Sequence, residues 1–107
     1  MDTEKVKQLN DAFRRSTVGG KFMFTSGVAA LDKKTREEIV LEVRKFNNFN
    51  ESNDPFKEHD ASILTVKGIE IYWKIDYYDN DMKYHSPDKS DPLKTKRVLT
   101  IMKMSEY

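Results

Sequence analysis

The chain has 107 residues, of which 37% are hydrophobic and 35% charged, and its formal net charge at pH 7 is +1. This length fits one domain with one hydrophobic core, and its six Phe, five Tyr and one Trp argue against a disordered chain. The near-zero charge argues against an extended phosphate-binding surface, and the absence of cysteine excludes disulfides and thiolate metal sites.

Neither a membrane span nor a signal peptide is expected. The sequence has no run of about 18 apolar residues, and its first ten residues, MDTEKVKQLN, lack the apolar segment of a signal peptide. Together with the missing cysteines, these features predict a cytoplasmic protein, either of a bacterial cell or of a phage-infected host cell.

The first predicted element is an amphipathic helix over residues 3–15. Val6, Leu9 and Phe13 recur at the spacing that places side chains on one face of a helix. Gly19-Gly20 ends the pattern, because glycine allows the chain to turn.

A short strand over residues 21–25 and a second amphipathic helix over residues 34–47 follow. The second helix carries its apolar stripe at Ile39, Val43 and Phe46, and polar residues occupy the rest of its surface. We expect both helices to pack their apolar stripes on the same core.

The second half of the chain is predicted to be β-structure. Residues 62–67 and 69–78 are rich in β-branched and aromatic residues, and the single glycine between them suits a tight hairpin. A loop over residues 79–95 leads to a last strand over residues 97–104. The order α-β-α-β-β-β predicts one small α+β domain over residues 1–107, with an antiparallel sheet of three to four strands and two main helices packed on one face.

The strand over residues 69–78 has two different faces, because side chains alternate along a strand. The face predicted to point into the core carries Ile69, Ile71, Trp73, Ile75 and Tyr77. The opposite face carries Glu70, Tyr72, Lys74, Asp76 and Tyr78. The second set combines aromatic rings with charges of both signs, so its role has to be decided separately.

Three interpretations of that second set are open. It is a solvated sheet surface with cross-strand ion pairs, a recognition face, or a catalytic face. Tyrosine is favoured at interfaces because it contributes contact area at low entropic cost, so the predicted binding surface is Tyr72, Lys74, Asp76 and Tyr78. Stacking of single-stranded nucleic acid on the two tyrosines is a further hypothesis, and the near-neutral charge argues against it.

The tripeptide Glu58-His59-Asp60 most resembles an active-site sequence. A histidine beside carboxylates can act as a general base or bind a metal. In an extended chain, however, Glu58 and Asp60 share one side and His59 points away, which argues against one shared ion. Two interpretations of the tripeptide stay open. It lies in a structural loop whose His and Asp bind backbone groups, or it forms the active-site loop of a small metal-dependent hydrolase or nuclease.

Several short motifs follow one another along nearly the whole chain. They are Leu9-Asn10-Asp11-x-Phe13-Arg14, Thr25-x-Gly27-Val28, Asn53-Asp54-Pro55, Glu58-His59-Asp60, residues 73–79 (WKIDYYD), Ser86-Pro87-Asp88, Asp91-Pro92, residues 97–102 (RVLTIM) and Glu106-Tyr107. In this order they resemble a small domain family of unknown function from bacterial, plasmid and phage genomes. That family usually has Phe-Gly after the Glu-His-Asp tripeptide, where this chain has Ala61-Ser62. The resemblance implies no activity, and it implies an accessory protein of a mobile element or virus.

The sequence therefore predicts a non-enzymatic binding protein, encoded by a phage or mobile element, that acts by binding a host or defence-system protein. It assigns no cofactor, no catalytic residue and no metal ligand, and it predicts neither a nucleic-acid nor a membrane partner. The alternative is the metal-dependent hydrolase or nuclease that uses Glu58, His59 and Asp60.

Overall fold

Three helices and one four-stranded sheet form the fold in the computed structural model, which describes residues 2–107. In chain order the elements are α1 (Thr3–Ser16), β1 (Gly20–Phe24), α2 (Ser26–Ala29), α3 (Lys33–Lys45), β2 (Ala61–Val66), β3 (Ile69–Tyr78), β4 (Lys96–Lys103) and a 3₁₀ turn (Met104–Glu106). The predicted α+β class and order of main elements are confirmed, and α2 adds one short helix. Within this described part of the chain, no helix has the length and apolar character needed to cross a membrane.

Helix α1 begins and ends at residues suited to those positions. The Asp2 carboxylate accepts a hydrogen bond from the Lys5 N–H at 3.1 Å, and the chain leaves the helix at Thr17 with a left-handed φ of 65°. Such ends supply partners for backbone groups that have none inside the helix. The buried residues of α1 are Val6, Asn10, Phe13 and Arg14. Two of these four are polar, which the apolar stripe alone did not predict.

Helix α3 begins at Asp32, whose carboxylate accepts hydrogen bonds from the backbone N–H (3.1 Å) and hydroxyl (2.6 Å) of the residue three positions later. Its Ile39 and Val43 are fully buried, as predicted. Phe46 follows the helix, and its ring meets that of Trp73 edge-on with 6.0 Å between ring centroids. The second predicted helix therefore covers the part of the core that it was expected to cover.

The sheet has the strand order β1-β4-β3-β2. β2 and β4 both run antiparallel to β3, whereas β1 runs parallel to β4 at one edge. The sheet is therefore mixed, not antiparallel throughout. A short hairpin can join only antiparallel strands. No hairpin joins β1 to β4, so these two strands are free to run parallel. At the start of β1 the two strands approach so closely that a β-carbon on Gly20 would overlap the Arg97 carbonyl.

Trp73 lies at the centre of the core. It is fully buried, as predicted, and pairs with Ile101 of β4 in the sheet register. The buried cluster around it comprises Phe13, Val28, Ile39, Val43, Val66, Ile71, Ile75, Leu99 and Ile101. Because side chains alternate along strands, the helix residues of this cluster all contact the same sheet face. The helices thus lie on one side, as predicted, and within residues 2–107 no helix covers the other side.

Candidate functional site

The sheet face opposite the helices, called the open face below, carries the predicted binding surface. Its β3 side chains include Tyr72, Lys74, Asp76 and Tyr78, which follow one another in a row and are each partly exposed. Their partners on β4 are Met102, Thr100, Val98 and Lys96, in the same order. The row therefore crosses the middle of the sheet, because β3 and β4 are its two central strands.

Lys74 and Asp76 form an ion pair within this row. The Lys74 Nζ lies 3.0 Å from the Asp76 Oδ2, and the two side chains are 40% and 35% exposed. The hydrogen bond to Asp76 raises the pKa of Lys74. The pair lies along one strand instead of crossing between strands, so it neutralises charge locally and does not tie neighbouring strands together.

Both tyrosines of the row are held by a second ring. Tyr72 meets Tyr107 edge-on at 4.9 Å between ring centroids, and Tyr78 lies nearly parallel to the His85 ring at 6.5 Å. Burial, and then the nearby Tyr107, raise the pKa of Tyr72. The rings are thus positioned by contacts within the protein, which reduces the conformational entropy that a partner would have to remove.

Apolar side chains flank the row. Ile63 of β2 lies opposite Tyr72 and is 50% exposed, and Met23 of β1 lies opposite Thr100 and is 47% exposed. The two side chains lie on opposite edge strands of the sheet, so each adds apolar contact area at one side of the row. The open face therefore combines two positioned aromatic rings, a neutralised ion pair and an apolar margin.

The three side chains of Glu58-His59-Asp60 do not converge on one point. The His59 Nδ1 lies 2.9 Å from the Asp11 Oδ1, and its ring stacks on Phe49 with centroids 3.8 Å apart. The Glu58 carboxylate instead lies 2.7 Å from the Lys89 Nζ. The extended-chain premise was wrong, because His59 has a left-handed φ of 55°. The side chains of Glu58 and His59 nonetheless have separate partners.

Asp54 fixes the shape of this loop. Its carboxylate, in a residue only 6% exposed, accepts hydrogen bonds from the backbone N–H groups of Glu58 and His59, both at 3.2 Å. The Asp60 carbonyl then accepts the Ile75 N–H at 2.7 Å, which ties the loop to β3. Burial and the neighbouring Glu58 raise the pKa of Asp60. Across residues 2–107, no three His, Cys, Asp or Glu side chains are placed to hold a metal ion.

A buried polar cluster behind the loop was missed by sequence reasoning. The Asn10 side-chain amide donates to the Tyr77 hydroxyl at 2.7 Å and to the Glu58 carbonyl at 3.0 Å, and its oxygen accepts from the Arg97 Nε at 2.7 Å. Burial raises the pKa of Tyr77 well above its ordinary value, so its hydroxyl stays protonated. Through Asn10, helix α1 is joined to the loop and to both central strands.

Two arginines hold the ends of α1 and α3 together. The Arg14 Nη1 donates to the carbonyls of Val43, Arg44 and Phe46 at 2.9, 3.1 and 2.6 Å. The Arg44 Nη1 donates in return to the carbonyls of Arg14 and Arg15 at 3.1 and 2.9 Å. Carbonyls at a helix C-terminus have no intrahelical donor and carry partial negative charge. Each arginine therefore satisfies the end of the helix that carries the other.

One sequence signal could have identified the two buried polar residues of α1. Val6, Asn10, Phe13 and Arg14 are separated by four, three and one positions, which places them on one helical face. Sequence reasoning chose Leu9 for that face, and Leu9 is only half-buried. Polar side chains on an otherwise apolar face predict a buried hydrogen-bond network when partners are available.

Comparison with known proteins gave one family match. A family model described as "Protein of unknown function (DUF3768)" matches residues 24–106. No curated protein and no solved structure matches the chain. The matched segment contains the row on β3 and the Glu58-His59-Asp60 loop, whereas α1, with Asn10 and Arg14, lies outside it.

Proposed function

This chain belongs to DUF3768, a family of proteins of unknown function, and we propose that it is a non-enzymatic binding protein whose open face docks on a partner protein. The observation that carries the proposal is the row of Tyr72, Lys74, Asp76 and Tyr78 on a sheet face that no helix of residues 2–107 covers. The proposal therefore rests on a surface and not on a reaction centre.

The tyrosines are the residues expected to contribute most of the binding energy. A few aromatic side chains usually dominate an interface, and each costs about 2 kcal/mol or more of binding free energy when truncated. Tyr72 and Tyr78 are already in contact with Tyr107 and His85. A partner would consequently lose little free energy in ordering them.

The balanced charge of the chain, formally +1 at pH 7, and the ion pair at the centre of the row favour a protein over a nucleic acid. Nucleic-acid affinity depends on unpaired cations that contact phosphates. Lys74, the cation at the centre of the row, is paired with Asp76 at 3.0 Å. A partner protein needs no excess of positive charge, and the exposed Ile63 and Met23 supply apolar contact area.

The encoding element and the class of partner are part of the same proposal. The motif order resembles proteins from bacterial, plasmid and phage genomes, which supports an accessory protein that binds a host or defence protein. The alternative, a metal-dependent hydrolase, requires Glu58, His59 and Asp60 to act together. Glu58 is paired with Lys89 and His59 with Asp11, so no arrangement of these side chains favours it.

Site-specific photo-crosslinking tests the binding proposal. A photoreactive phenylalanine analogue replaces Thr100 on the open face, or Leu41 on the helical side as the matched position, and the protein is expressed in its native host. We expect a discrete crosslinked protein from position 100 only. The purified partner should then bind the double variant Tyr72→Ala, Tyr78→Ala at least about 30-fold more weakly, since about 2 kcal/mol corresponds to that factor.

The control removes exposed apolar groups elsewhere on the surface. Leu41→Ala with Phe56→Ala, whose side chains are 52% and 77% exposed, should leave the affinity unchanged. If the tyrosine double variant keeps its circular dichroism spectrum and binds as tightly as the native chain, the open face is not the docking surface. Equal crosslinking from positions 100 and 41 would likewise show that the open face is not the docking surface.

A further inference from the structure

Arg97 is a buried cation without a carboxylate partner. The residue is 3% exposed, and within residues 2–107 no Asp or Glu oxygen lies within 4.0 Å of its guanidinium. Its Nε donates to the Asn10 amide oxygen at 2.7 Å and its Nη2 to the Lys89 carbonyl at 2.6 Å, and both acceptors are neutral. Burying a charge that is not paired is costly.

The surroundings of Arg97 do not balance its charge. The guanidinium lies 5.3 Å from the centre of the Tyr77 ring, which attracts a cation but carries no net charge. Burial lowers the pKa of Arg97. The neighbouring Lys89 is a second cation, and its partner is Glu58 at 2.7 Å. The Arg97 Nη1 donates to no protein group among the described residues. The positive charge of Arg97 therefore has no anionic partner, and its Nη1 has no protein acceptor.

A hollow of about 310 Å³ lies against this residue, between α1 and residues 92–95. Arg97 is the only charged residue that lines it. The apolar lining comes from Leu9, Ala12, Phe13, Val18 and Pro92. A volume of this size, with apolar walls and a few polar groups, is typical of small-molecule sites.

The two hydroxyl groups at the hollow are already used as donors. The Ser16 hydroxyl donates to the Ala12 carbonyl at 2.7 Å, and the Thr95 hydroxyl donates to the Asp88 carbonyl at 2.8 Å. Arg97 alone therefore remains to pair with an anion. One guanidinium matches one carboxylate in charge and geometry, whereas a doubly charged phosphate would call for further cations or donors.

We propose that this hollow binds a small organic carboxylate with an apolar body, its carboxylate on the Arg97 guanidinium and its body against Leu9, Ala12 and Val18. Such a ligand supplies the counter-charge that the fold lacks and covers apolar side chains of α1. The site lies on the helical side of the sheet and is separate from the open face, so either proposal can fail without the other.

Titration with benzoate, followed by nuclear magnetic resonance, tests the site. Benzoate should shift the Arg97 side-chain Nε–H signal and the Gly19 and Thr95 amide signals along one saturable curve. Benzyl alcohol, a neutral molecule of similar shape, should bind at least tenfold more weakly. Ala12→Phe fills the hollow from a solvent-exposed helix position and leaves Arg97 in place, so it should abolish the benzoate shifts. Ala30→Phe, at an exposed position outside the hollow, should preserve them.

Three results would overturn the proposal. One is the absence of a saturable shift of the Arg97 side-chain signal at any benzoate concentration that leaves the protein folded. The second is equal affinity for benzoate and benzyl alcohol, which would show that the charge of Arg97 plays no part. The third is unchanged benzoate affinity in a folded Ala12→Phe variant, which would place binding elsewhere.

Discussion

Replacing Trp73 by alanine removes the largest fully buried side chain of the protein. Its indole ring packs edge-on against Phe46 and Phe49, with ring centroids 6.0 and 6.2 Å apart. The Arg14 guanidinium lies 5.3 Å from the centre of the ring. The substitution therefore tests the packing of both helices and of the loop after α3 on the central strand at once.

The expected loss of stability follows from these contacts. A buried aromatic side chain covers about 150–250 Å², and about 150 Å² beyond alanine at about 25 cal/mol per Å² corresponds to about 4 kcal/mol. The two edge contacts add about 0.5–1.5 kcal/mol each. The Trp73 Nε1 has no hydrogen-bond partner within the described chain. Removing this buried donor lowers the free-energy cost of the substitution by about 1–3 kcal/mol. The net cost is about 3–5 kcal/mol, the usual range for such a truncation.

Urea unfolding measures this cost. Trp73 is the only tryptophan of the chain, so unfolding is followed by far-ultraviolet circular dichroism. With a slope of about 1–3 kcal/mol per molar urea, the midpoint should fall by about 2 M. Leu41→Ala, at a 52% exposed position on α3, should change the free energy of unfolding by less than about 0.5 kcal/mol. A midpoint within about 0.3 M of the native value, at unchanged slope, would show that Trp73 does not support the core as described.

Four further predictions concern single side chains. Backbone N–H groups and a threonine hydroxyl hold the pKa of Glu106 below its usual range. The ionised Glu106 therefore stabilises the folded protein fully above the unfolded pKa of about 4.3, and this contribution is lost as pH falls through the folded pKa. Glu106→Gln should lower Tm at neutral pH, and the difference in Tm should shrink in acid. Burial and a neighbouring glutamate raise the pKa of Asp60. Ionised Asp60 therefore destabilises the folded protein above the unfolded pKa of about 3.9 and not below it. Asp60→Asn should raise Tm at neutral pH, and this increase in Tm should disappear in acid. Arg44→Met leaves carbonyls at the end of α1 without a donor and should cost about 1–3 kcal/mol in urea unfolding, whereas Lys33→Met at an exposed position should cost less than about 0.5 kcal/mol. Zinc or manganese should leave Tm unchanged, and a saturable increase that His59→Ala abolishes would instead support a metal-dependent enzyme.

Periodicity predicted the parts of the fold in which one face is buried and the other is not. The three-and-four spacing in α1 and α3 and the alternation in β3 each follow directly from burial on one side. Trp73 was placed in the core for that reason. The side chains of the open face were placed by the same alternation, and their role as a binding surface stays a prediction.

Features that depend on contacts distant in sequence could not be predicted. The parallel pairing of β1 with β4 joins strands that are far apart in the chain, and no local signal encodes it. The cluster of Asn10, Tyr77 and Arg97 draws on three separate elements, and each polar residue by itself predicts exposure. The left-handed backbone of His59 was missed for a local reason: the sequence interpretation assumed an extended chain, whereas the Asp54 carboxylate, five residues earlier, accepts a hydrogen bond from the His59 N–H.

The exchange of Arg14 and Arg44 between the ends of α1 and α3 bears on how the protein opens. Fraying of either helix end breaks hydrogen bonds that the other end also needs, so the last turns of both helices should open in one cooperative event. In native-state hydrogen exchange, such groups share a single opening free energy, whatever their separation along the chain. The cooperative unit would then join α1, which lies outside the family-matched segment, to α3, which lies inside it, so its boundaries follow the arginine pair and not the order of the chain.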